Sequence, residues 1–96
     1  MTARVQYAPS LVEALKALSE GRREAVMARL AWFIRAPGDP DLRLRPLRCA
    51  PGYFLIDSVR YDRIILHREA DGSYTAVDCG GHHIIGDWEA RGGRPP

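Results

Sequence analysis

Lysine is nearly absent: Lys16 is the only one, and the rest of the 14 Lys and Arg residues are arginine. A surface that needs only solubility can use either cation, whereas the guanidinium fork matches phosphates, carboxylates and base edges bidentately. A compositional bias towards arginine produces the same count, so the two explanations stand side by side. Cysteine is scarce as well. Cys49 and Cys79 lie far apart with no Cys-x-x-Cys spacing, which favours two free thiols over a disulfide and fits a reducing compartment. Also missing is any apolar run of the roughly 18 to 20 residues that a bilayer-spanning helix needs. The opening MTARVQYAPS has neither the apolar segment nor the cleavage site of a secretory signal. A cytoplasmic protein with no membrane partner is expected. A net charge of +2 does not by itself indicate nucleic acid.

What is present suits one domain spanning residues 1–96, with 46% hydrophobic content for a single core. RVQY at 4–7 alternates before a proline, as a short edge strand does. Ser10 and Glu13 match an S-x-x-E capping box, and behind them Leu11, Val12, Leu15 and Leu18 form one apolar face of a helix. SEG at 19–21 breaks it. A second helix is expected from Arg22 to Arg35, where Val26, Met27, Leu30, Phe33 and Ile34 recur at helical spacing and APGDP stops it. So short a junction makes the two helices an antiparallel hairpin. DLRLRPLR then reads as an extended crossing segment. YFLIDSV (53–59), DRIILHR (62–68) and SYTAVDC (73–79), with turns at Arg60–Tyr61 and Asp71–Gly72, form an antiparallel meander. IIGDWEARGG reads as a short C-terminal turn or helix with a frayed GGRPP end.

Strand alternation sorts the meander into two faces. Phe54, Ile56, Ile64, Leu66, Thr75, Val77 and Cys79 make an apolar floor for the helical hairpin. The opposite set, Tyr53, Leu55, Asp57, Arg63, Ile65, His67, Tyr74, Ala76 and Asp78, gathers groups able to transfer protons and bind anions; a plain solvated face or a partner surface is the alternative. His82 and His83 follow the last strand and face opposite sides if the strand persists. Histidine titrates near neutrality, which suits general acid or base work. Cys79, His82, His83 and Asp87 also offer metal ligands, at a spacing that matches no familiar zinc pattern.

The order of strand, helical hairpin, Arg-rich crossing, VRYDRIILHRE and GGHHIIGDW resembles the RelE/ParE toxin superfamily of toxin–antitoxin modules over nearly the whole chain. YDRIIL is similar to the family's Tyr-Arg-Ile-Ile strand, with Arg63 on its arginine. GHH at 81–83 is similar to the glycine-histidine-histidine that ends the last strand in one branch. The resemblance implies an α+β fold: an N-terminal strand and helical hairpin on a twisted, mainly antiparallel four-stranded sheet, closed by a short C-terminal helix or turn. It also implies a cognate antitoxin partner. RelE-like members cut mRNA in the ribosomal A site, and ParE-like members poison DNA gyrase. The cut needs a base for the ribose 2′-hydroxyl, a cation for the phosphate and an acid for the leaving 5′-oxygen, with no metal or other cofactor.

Carried onto this chain, the resemblance makes His83 the proton-transfer residue, with His82 or His67 in reserve, and Arg63 the phosphate-stabilising cation. A cross-strand salt bridge from Arg63 to Asp57 or Asp78 is the rival reading. Trp88, beside the Asp87 that stands at the family's late tyrosine, is a candidate for stacking on a base, and Arg43, Arg45 and Arg48 are candidates for RNA backbone or antitoxin. If Arg43 and Arg45 are extended they point the same way, as a phosphate track requires. The lysines that RelE uses fall at Phe54 and Ile56, or at Leu55 and Asp57. A ribosome-dependent, metal-independent endoribonuclease toxin is therefore expected. The alternatives are a gyrase-directed toxin and a degenerate toxin that only binds antitoxin.

Overall fold

The computed structural model describes all residues from Met1 to Pro96. β1 (Val5–Tyr7) leads into α1 (Pro9–Lys16) and α2 (Glu20–Arg35); a 3₁₀ turn at Pro40–Leu42 precedes β2 (Arg45–Pro46), β3 (Tyr53–Asp57), β4 (Arg63–Arg68), β5 (Tyr74–Gly80) and α3 (Ile84–Ala90). The sheet has five strands, in the order β1-β5-β4-β3-β2. The fifth is β2, two residues of the Arg-rich crossing paired antiparallel to β3 through Arg45↔Leu55 and Pro46↔Phe54. So short a strand leaves no alternation to read in sequence. The β3–β4–β5 meander is antiparallel, and β1 runs parallel to β5 at the edge.

The helical hairpin forms where the periodicity places it, but its ends are built differently. Ala8, not Ser10, is the N-cap of α1, and the Ser10 hydroxyl donates instead to the Val77 carbonyl at 2.5 Å, tying the helix to β5. Glu13 pairs with Lys16. α2 begins at Glu20, two residues before the expected start, so Gly21 lies inside its first turn. The Arg23 guanidinium donates to the carbonyls of Leu15, which also accepts from the Leu18 N–H, and of Leu18, an acceptor that the end of α1 leaves open. Val12 and Met27 are exposed, and the buried helix face is Leu11, Leu18, Val26, Leu30 and Phe33.

The sheet carries a core on each side. The helical hairpin covers Ile56, Ile64, Leu66, Ala76 and Cys79. α3 and the loop after β2 cover Leu55, Ile65 and Val77 with Leu47, Ala50, Ile84 and Trp88. Simple alternation puts Ala76 and Val77 on the reverse faces, and a bulge is the reason: Ile65 pairs with Asp78 and Leu66 with Ala76, which leaves Val77 as the extra residue of β5. Ahead of the bulge the phase of β5 reverses, so Tyr74 and Ala76 turn to the helices while Thr75 turns to the opposite face beside His67. The C-terminal glycines are docked, not frayed. Gly92 and Gly93 have φ of 69° and 76° and end α3, with the Gly93 N–H donating to the Trp88 carbonyl at 2.8 Å. Gly93 passes so close to the Cys49 carbonyl oxygen that a Cβ there would lie 2.0 Å from it. No helix is long and apolar enough to cross a membrane.

Candidate functional site

One end of the sheet collects the cations. β3 ends there at Asp57, β4 begins at Arg63, and β5 leaves at Gly80, the register partner of Arg63. His82 and His83 follow directly. The strand does not persist through them: β5 stops at Gly80 and His83 is the N-cap residue of α3, so both imidazoles project from a corner and are exposed. Their ring centroids are 6.2 Å apart, and His83 Nε2 lies 3.9 Å from Asp87.

Arg63 has no acidic partner. Asp57 is held by Arg45 at 3.1 Å and Arg43 at 3.5 Å, and Asp78 accepts from the Trp88 indole and the Cys79 amide and faces Arg91. The cross-strand salt bridge expected as the rival role of Arg63 is thus absent. Its Nε is buried with no hydrogen-bond partner, and its register partner Gly80 stands two residues before His82.

Arg22 is the residue that sequence reasoning overlooked. It lies in the first turn of α2 and binds the Asp62 carboxylate through Nε (3.0 Å) and Nη2 (2.5 Å); Asp62 is 1% exposed. That hydrogen bond and the adjacent charge hold the Arg22 guanidinium above its ordinary pKa. A Cβ on Gly81 would lie 3.8 Å from Arg22 Nη2 and 3.4 Å from His83 Nδ1, so the glycine separates this cation from the histidine by little more than its own width.

Other expected residues lie elsewhere. His67 is four residues along β4 from Arg63, about 13 Å at the usual strand rise. There it bonds Glu69 at 2.9 Å and packs on Tyr53, while Glu69 also accepts from Thr75. These two hydrogen bonds, His67's first, pull the Glu69 carboxyl below its ordinary pKa. Trp88 is fully buried, with its indole N–H donated to Asp78 and Tyr53 against its edge, so it has no face to offer a base. Burial is also the main reason that Asp78 titrates above the ordinary carboxylate range. Arg43 is left-handed (φ 56°), so it and Arg45 do not form an extended phosphate track; they converge on Asp57. Arg45 and Arg48 instead border a cavity of about 550 Å³ with Cys49, Leu55, Ile85 and Glu89. The four possible metal ligands do not converge: Cys79 is buried, whereas His82, His83 and Asp87 are exposed. Burial, aided by the Asp78 and Asp62 carboxylates, pushes the Cys79 thiol up to about 12.

The fold has clear counterparts among solved structures. An E. coli RelE toxin carrying two substitutions, in the free state, superposes with a TM-score of 0.67 over 95% of this chain and 97% of its own, at 13% identity. The fold is that of the RelE-like toxins. The RelE-like fold recurs in the RelBE2 toxin–antitoxin complex of Mycobacterium tuberculosis (TM-score 0.67, 17% identity, 85% of this chain and 100% of that one). It recurs again in the RelB–RelE antitoxin–toxin complex of Methanococcus jannaschii (TM-score 0.68, 15% identity, 86% and 96%). No family model and no curated protein matches the chain by sequence. At these identities the likeness concerns the RelE-like fold, not the side chains set on it.

Proposed function

We propose that this chain is the toxin of a toxin–antitoxin pair and that it cuts mRNA on the ribosome. The observation that carries the reading is an Arg63 with no acidic partner whose register neighbour, Gly80, stands two residues before the exposed His82 and His83 at the exit of the last strand of a RelE-like fold. One neutral imidazole, assigned to His83, takes the proton of a ribose 2′-hydroxyl. The 2′-oxygen then attacks the adjacent phosphorus, and Arg63 neutralises the charge that builds on the non-bridging oxygens. The bond from phosphorus to the 5′-oxygen breaks, and the leaving oxygen receives a proton from the second imidazole, His82. A cyclic phosphate and a free 5′-hydroxyl result. No redox step occurs, and the proton taken from one oxygen balances that given to the other. The antitoxin complexes among the structural counterparts support a protein partner that holds the toxin in check.

The test is a reconstituted translation reaction with the 5′ ends of the mRNA mapped by primer extension, beside the same mRNA without ribosomes. Cuts are expected only with translating ribosomes, and His83→Ala or Arg63→Ala abolishes them in a protein that remains folded. Intact mRNA with undiminished translation overturns the reading and makes DNA gyrase supercoiling the next assay.

A further inference from the structure

We propose that Tyr61, at the tip of the β3–β4 hairpin, is the platform on which an unpaired RNA base stacks next to the cut, with Arg60 and Arg22 holding the flanking phosphates. The inference rests on the endonuclease reading and supplies the aromatic surface that buried Trp88 does not.

The hairpin is a three-residue loop. Ser58 N–H donates to the Asp62 carbonyl at 2.8 Å, and Tyr61 N–H donates to the Ser58 carbonyl at 3.0 Å. Tyr61 has φ 67°. This is the left-handed position that such loops usually give to glycine, because a side chain there crowds its own backbone. A bulky ring at that position is costly, and within the fold nothing offsets the cost: Tyr61 is 84% exposed, joins no aromatic pair and makes no side-chain hydrogen bond. The loop itself is well tied. Ser58 is buried, and its hydroxyl accepts from the Arg60 amide at 3.2 Å.

The surroundings identify the ligand chemistry. Tyr61, Val59, Arg60 and Arg22 line an open groove of about 550 Å³. The Arg60 guanidinium lies over Gly21, where a Cβ would be 3.6 Å from its Cζ, and Arg22 is fixed by Asp62. No carboxylate lines the groove, and Arg22 connects it to Gly81 and His83. An exposed ring that shares a groove with two guanidinium groups suits a chain that alternates flat bases with phosphates, which is single-stranded RNA. An apolar protein segment would leave the Arg60 guanidinium, which has no acidic partner in the fold, without a counterpart.

The experiment compares wild type with Tyr61→Phe, Tyr61→Ala and Tyr61→Gly on ribosomes programmed with one mRNA. Phe keeps the stacking face and is expected to cut at the wild-type rate. Ala and Gly are expected to lower kcat/KM about 10-fold or more, in line with the loss of one base stack. Tyr61→Gly also relieves the left-handed strain, so it melts no lower than wild type, which separates a lost contact from a lost fold. In a cutting-dead His83→Ala background, 2-aminopurine beside the cut is quenched on binding, and adding Tyr61→Ala removes the quench. Full cutting by both Ala and Gly variants overturns the platform and leaves the endonuclease standing. Weakened antitoxin binding with unchanged cutting also overturns it, making the loop a protein-docking surface. If wild type cuts nothing, the endonuclease reading falls and takes the platform with it.

Discussion

The Arg22 guanidinium clasps the Asp62 carboxylate with Nε and Nη2 together, at 3.0 and 2.5 Å, across 40 residues of sequence. The acid is 1% exposed and the base 40%, so the pair joins the start of α2 to the start of β4 while one side of the cation stays open to solvent. Arg22→Ala leaves a buried carboxylate without its counter-charge, and the orphaned Asp62 acceptor lowers stability below that of wild type. Converting both residues to apolar side chains, Arg22→Met with Asp62→Leu, recovers most of that loss. Urea unfolding of the single and double variants reads it directly; a single variant as stable as wild type shows that the clasp carries no stability.

Cys79 gives the chain an alkaline limb. Burial raises its thiol from 9.0 to about 12, so between these values the native state keeps a proton that the unfolded chain has lost. Stability is therefore complete below the unfolded value and declines as pH rises through the window, with a slope of at most about 1.4 kcal/mol per pH unit. Cys79→Ala removes that slope. Thiol labelling of the native protein at mildly alkaline pH should modify the partly exposed Cys49 and spare Cys79.

Glu69 behaves in the opposite direction. Its carboxyl is depressed by the His67 and Thr75 hydrogen bonds, so the stability they confer is present above the ordinary carboxylate range and is lost as pH falls through the lowered value. His67→Phe keeps a ring against Tyr53 but deletes the donor. It should flatten the acid limb of the stability profile and leave mRNA cutting unchanged, because this cluster lies far along β4 from Arg63. Loss of cutting in a folded His67→Phe protein would return His67 to the reaction.

The glycines that close α3 differ in what they tolerate. A Cβ at Gly92 meets nothing within 4 Å, so Gly92→Ala carries only the left-handed penalty of about 1–2 kcal/mol. Gly93→Ala adds a collision with the Cys49 carbonyl and should lower the melting temperature several-fold further. Equal melting of the two variants contradicts the docking of the tail.

Much of this arrangement is legible in sequence where the signal is local. The apolar period of residues 26–34, the Asp71–Gly72 turn and the apolar runs of β3 to β5 yield the helical hairpin and meander at nearly their true bounds. What sequence conceals is non-local or one residue long. Val77 shifts the phase of β5 without changing its composition. Trp88 reads as a free aromatic until α3 folds back against Tyr53 and Asp78. Arg22 looks like any helix-surface arginine until Asp62 meets it, and Ser10 matches a capping pattern that the Val77 carbonyl captures. For the site, the Arg63 and His82–His83 neighbourhood is visible as motifs. The arginines of the crossing are visible too, but not their convergence on Asp57.

The crossing also finishes the sheet. β2 is two residues long, and Pro46 supplies no backbone N–H, so this rim lacks the ladder of donors that an incoming chain would need to extend the sheet. Copies of the protein that meet rim to rim on that side find a blunt end and not a template. On that edge, one imino acid removes the template for fibril-like stacking.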